Sequence, residues 1–64
     1  GKSMSQLSEK ELSTIKDLLS DEELLVKKFK MLARHAETEE LKAKMEDIAQ
    51  KHQGHFNELY QKLS

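Results

Sequence analysis

Three residues of this 64-residue chain combine side-chain chemistry and spacing that would suit a metal ion: Glu22, His52 and His55. His52 and His55 are three apart, so in a helix their imidazoles share one face. Both stand in a register otherwise filled by apolar side chains, as Glu22 does in an earlier segment. If the chain folds back on itself about a turn near Thr38, residues whose numbers sum to about 77 face one another. That register sets Glu22 opposite His55 and Leu25 opposite His52. A carboxylate with two imidazoles is a ligand set for zinc, iron or manganese. The same residues also have a plainer reading. A glutamate in the first turn of a helix is favoured by the helix dipole, and histidines at the rim of a core can bond water or that carboxylate. Both readings stay open on the sequence, so the cofactor is either none or an ion such as zinc or iron. His35, between Arg34 and Ala36, reads as a surface residue.

Other chemistries lack their parts. The chain has no cysteine, its serines stand mainly in capping positions near the N-terminus, and no glycine-rich loop could cradle a phosphate. Eleven basic and twelve acidic residues leave a net charge of -1, which provides no field to draw a nucleic acid. The one basic cluster, Lys27, Lys28, Lys30 and Arg34, carries no exposed aromatics for base stacking and is followed at once by Glu37, Glu39 and Glu40. A solvated helix face accounts for it better. The longest apolar runs, Leu18-Leu19 and Leu24-Leu25-Val26, fall far short of the ~20 residues that cross a bilayer. A cytoplasmic location without membrane or nucleic-acid partners is expected.

The elements that would position the three residues are helical throughout. There is no proline, and Gly54 is the sole glycine after Gly1. Ser8-Glu9-Lys10-Glu11 has the form of a capping box and predicts a short N-terminal helix to about Leu19, with Leu12, Ile15, Leu18 and Leu19 on one side. Ser20-Asp21-Glu22-Glu23 repeats the pattern and would start a second helix, although one long bent helix is equally compatible with it. The second helix has its seam at Leu25, Phe29, Leu32 and Ala36, widened by Leu24, Val26, Met31 and Ala33, with Phe29 at the centre. Polar residues Glu37-Thr38-Glu39-Glu40 mark the turn, with Thr38 as a cap. The last helix aligns Leu41, Met45, Ile48, His52, His55 and Leu59 at alternating spacings of four and three. Gly54 within it weakens the helix by ~1 kcal/mol relative to Ala, and it either lets another helix come close or is simply tolerated.

The fold class expected is therefore all-α. It comprises an antiparallel helical hairpin with a short N-terminal helix, forming one domain over residues 8–64, after a disordered or tag-derived stretch at 1–7 in which Gly1-Lys2-Ser3 precedes Met4. A chain of this length buries only ~60% of the surface its unfolded form exposes. Each apolar stripe is too wide for one helix to cover. A homodimer that completes a four-helix bundle would cover both, since closed two-fold dimers are the commonest assembly. A helical module whose stripe serves a different protein is a further reading.

Residues 22 to 63 resemble one half of a ferritin-like protein of the rubrerythrin type. Glu22 stands at that family's first glutamate, Phe29-Lys30-Met31-Leu32-Ala33 at its "Y..LA" segment, Ile48-Ala49 at "IA", and His55 at its ligand histidine. His52 replaces the family's second, bridging glutamate, and that replacement argues against a di-iron oxidase or peroxidase. Residues 12 to 63 are also similar to the spore coat protein F family of spore-forming Firmicutes, itself ferritin-like, through Asp17-Leu18-Leu19-Ser20 and His52-Gln53-Gly54-His55-Phe56. The Gly-Trp-Tyr type of C-terminal ending is absent. This second resemblance implies a non-catalytic, self-associating structural protein, with spore association as the further option for its location. The alternative it leaves is a metal-binding ferritin-like protein using Glu22, His52 and His55.

Overall fold

A computed structural model of the chain describes residues 7–63. Two helices account for nearly all of them: α1, Glu9–Arg34, and α2, Glu39–Gln61. They pack against each other as an antiparallel hairpin. The expected N-terminal stretch at 1–7 lies outside the described residues except for Leu7, which is half-buried.

Local chemistry sets both helix starts. The Ser8 hydroxyl accepts from the Glu11 amide at 3.1 Å, and the Glu11 carboxylate accepts from the Ser8 amide at 3.1 Å, closing the capping box. At α2 the Thr38 hydroxyl accepts from the Leu41 amide at 3.0 Å, while Glu39 and Glu40 place negative charge in the first turn. Between the helices the His35 amide donates to the carbonyls of Met31 and Leu32, both at 3.2 Å, and the chain reverses over residues 35–38.

The separate short helix over residues 8–19 does not exist. Helix α1 runs unbroken for 26 residues through Ser20-Asp21. The reason is visible in its pattern: Ile15, Leu19, Glu22, Val26, Phe29 and Ala33 keep spacings of four, three, four, three and four across that point. The face toward α2 never loses phase, and neither proline nor glycine forces the backbone out of the helical region.

The contact seam also differs from the expected one. The buried apolar residues are Ile15, Leu19, Val26 and Ala33 on α1 and Ala49 on α2. Leu25 and Phe29 are half-buried, while Leu32 lies exposed on the flank. Small side chains explain the shift. Ala33 and Ala49, the two least exposed at 4% and 3%, let the helix backbones come close where a leucine would hold them apart. No large side chain among the described residues is fully buried, so the hairpin has a thin core.

Its two broad faces are unlike. One carries a shallow groove lined by Lys30, Arg34, Lys42, Glu46, Asp47 and Gln53 among others. Helical geometry turns the other ends of both apolar stripes, including Leu18, Leu25 and Leu32 on α1 and Leu41, Ile48 and Leu59 on α2, toward the opposite face. Among the described residues no helix is long and apolar enough to cross a membrane.

Gly54 is not a point of close helix approach within this chain, because a Cβ built there meets nothing within 4 Å. Gly54→Ala is expected to stabilise the hairpin by about 0.5–1 kcal/mol, by removing backbone freedom from the unfolded chain. A urea midpoint unchanged or lowered by the substitution would contradict this.

Candidate metal centre

Glu22 projects from the middle of α1 toward α2, where it meets both histidines. Its Oε1 lies 2.6 Å from His52 Nδ1, and its Oε2 lies 3.5 Å from His55 Nδ1. The first distance is a hydrogen bond in which an imidazole N–H donates to the carboxylate. The second is longer than a good hydrogen bond. One carboxylate thus serves as the hub for two rings one helical turn apart.

The expected pairing was Glu22 with His55 and Leu25 with His52, and it changes because the turn comes early. Arg34 ends α1 and Glu39 begins α2, so facing residues sum to about 73 rather than 77. Glu22 is then nearly level with His52, and His55 comes less than one turn beyond. Leu25 moves aside toward the exposed flank.

Aromatic packing holds the rings in place. Phe29, two turns along from Glu22, stacks on the His52 ring with centroids 5.9 Å apart and planes inclined by 16°. The His52 and His55 rings meet edge to face at 5.5 Å and 82°. From its spacing Phe29 reads as a packing residue, whereas in the hairpin it is also the wall that fixes the orientation of His52. The signal for that second role was its seven-residue offset from Glu22, which puts both on one face of α1.

Burial grades across the cluster. The side chains of Glu22 and His52 are 19% and 23% exposed, while that of His55 is 54% exposed. Among the described residues no buried side-chain nitrogen or oxygen lacks a hydrogen-bond partner, and within this apolar stripe Glu22 and His52 satisfy each other. His55 is the accessible side, by which a solute could enter. His35 is exposed at the end of α1 and takes no part in the cluster.

The spacing suits a cation. One ligand atom from each of Glu22, His52 and His55 lies within 4.8 Å of the others. Around a tetrahedral zinc with bonds of ~2.0–2.1 Å, neighbouring ligand atoms are roughly 3.3 Å apart. The separation of 3.5 Å between Glu22 Oε2 and His55 Nδ1 is close to that value, while His52 meets the other carboxylate oxygen, Oε1. The Glu22–His52 pair at 2.6 Å must open by less than 1 Å and give up its shared proton. Three protein ligands leave a fourth position for water or another donor.

No protein-family model, curated protein or solved structure matches the chain.

Glu22→Ala leaves the partly buried His52 ring without its acceptor. The variant is expected to lose about 1–3 kcal/mol of stability, read from chemical denaturation without added metal. His35→Ala should remain within about 0.5 kcal/mol of the parent. Equal losses in the two variants would mean that the Glu22–His52 bond adds nothing to the fold.

Proposed function

We propose that this protein is a non-catalytic, metal-binding helical hairpin, in which a divalent transition ion held by Glu22, His52 and His55 clasps α1 to α2. The observation that carries this reading is the convergence of one carboxylate and two imidazoles, from both helices, within 4.8 Å. Zinc fits the ligand set best. It accepts mixed nitrogen and oxygen donors in tetrahedral geometry, and iron(II) is the alternative that the same donors would take.

Several features favour a structural ion over a reactive one. The hairpin has a thin core and no cysteine to staple it, which is the situation in which a bound metal contributes folding free energy directly. The cluster has a single carboxylate, without the second, bridging one that a pair of irons engaged in oxygen chemistry would need. A structural role agrees with the resemblance to spore coat protein F. On that reading the chain is a ferritin-like half-bundle that serves in an assembly, with a spore-associated location.

Added Zn²⁺ is expected to raise the melting temperature near neutral pH. At zinc about a hundredfold above its Kd the stabilisation is ~2.7 kcal/mol, which corresponds to roughly 10 °C or more for a domain this small. The effect should shrink in acid, where protons compete for the imidazoles. His55→Ala should abolish it, and His35→Ala should leave it intact. Calorimetry showing no zinc-dependent shift in the parent, or the same shift in His55→Ala, would overturn the reading.

A further inference from the structure

The face that carries the metal cluster is apolar around it. Along α1, Leu18, Leu25 and Leu32 repeat every seven residues beside Glu22 and Phe29. Along α2, Leu41, Ile48 and Leu59 extend the row that contains His52 and His55. Leu18, Leu32 and Leu41 are 38–44% exposed, although their spacing is that of core positions. The opposite face is a groove in which Ala33, Ala43 and Ala49 lie among charged and amide side chains, without an exposed leucine row. This asymmetry fits a hairpin that is half of a larger core.

We infer that a second copy of the chain covers this face about a two-fold axis, closing the open side of the Glu22–His52–His55 cluster, so that metal binding and dimerisation strengthen each other. The size of the face suits that occupant. The broad side of the hairpin spans 47 by 17 Å, a footprint of the same order as the ~800 Å² of accessible surface that a standard-size dimer buries per partner.

Symmetry places the clusters. Two hairpins stacked face to face can be related by a dyad along their length or across it. In the first arrangement every residue meets its own copy at the same level. In the second, only residues near mid-length do. Glu22 is near the middle of the 26-residue α1, and His52 near the middle of the 23-residue α2. Both arrangements therefore set the two clusters against each other across the interface. The half-exposed His55 ring becomes enclosed there, and the fourth ligand position of each ion points into the interface rather than into bulk water. Two uncompensated glutamates and four imidazoles would be costly to enclose, and a bound cation in each cluster offsets their charge and donor demand.

The coupling rests on the metal reading, whereas the dimer itself does not. Sedimentation equilibrium over a roughly hundredfold dilution, with and without Zn²⁺, tests both. The parent is expected to dimerise, and zinc to tighten the dimer by about tenfold or more. The double variant L18E/L32E keeps every ligand and is expected to be monomeric and to bind zinc more weakly by the same factor, because linkage is reciprocal. H55A is expected to dimerise without responding to zinc. A parent that stays monomeric while binding zinc overturns this inference and leaves the metal reading standing. A dimer that binds no zinc overturns the coupling together with the metal reading. Retention of the dimer in L18E/L32E of parental helicity overturns the choice of face. Should that variant lose its helicity, the milder L32Q and the parent's own mass decide the question in the same way.

Discussion

The hydrogen bond between Glu22 Oε1 and His52 Nδ1, at 2.6 Å, ties together everything distinctive about this hairpin. It crosses between the helices at mid-length, inside a stripe where leucine or valine would be the ordinary choice. A polar pair in that setting persists only if each member satisfies the other, since an orphaned group would lose water without replacement. The pair thereby specifies register. Sliding α2 by one residue past α1 would separate carboxylate from imidazole and leave both unmatched. Apolar contacts alone discriminate less sharply between neighbouring registers.

The remaining packing follows from that alignment. Phe29 stacks on the face of the His52 ring while Glu22 bonds its Nδ1 edge, and the two contacts together fix its orientation. Ala33, near the turn, and Ala49, at the middle of α2, are the least exposed residues of the seam, and Phe56 and Tyr60 stack on each other at 6.1 Å near the far end of α2. The seam is narrow, with five buried apolar residues among those described. The exposed ion pairs Glu23–Lys27 at 3.6 Å and Asp47–Lys51 at 3.2 Å are of the i,i+4 type. Each adds only a few tenths of a kcal/mol to its own helix and does nothing to join the two. Cross-helix cohesion thus depends on a few small contacts and one polar cluster. Small energetic additions, an ion or a second copy, are accordingly large relative to the total.

Position along the hairpin gives the cluster its further consequence. A site near a helix end could be closed by the turn or by a terminal segment of the same chain. Glu22 and His52 lie near the middle of their helices, far from the turn, and the half-exposed His55 leaves the cluster open on one side. The apolar residues around the cluster favour a dry cover over a solvated one.

Much was determined by the sequence itself. Spacings of three and four, the Ser8 and Thr38 caps and the absence of proline dictate two helices and a polar turn, because those signals act within a few residues of each other. The membership of the cluster was legible too: Glu22, His52 and His55 are the polar residues in an apolar register, and periodicity alone exposes such exceptions. Only the tertiary structure decided how they meet. A shift of the turn from near Thr38 to residues 35–38 changes which residues are level across the hairpin, moving His52 rather than His55 closest to Glu22. It also decided that α1 continues through Ser20, since a local capping pattern competes there with a buried face whose phase never breaks. The seam centred on Ala33 and Ala49 instead of Leu25 and Leu32 for a related reason. Periodicity marks a stripe some 100° wide, and the side-chain volumes that meet across it select which edge of that stripe the partner helix occupies.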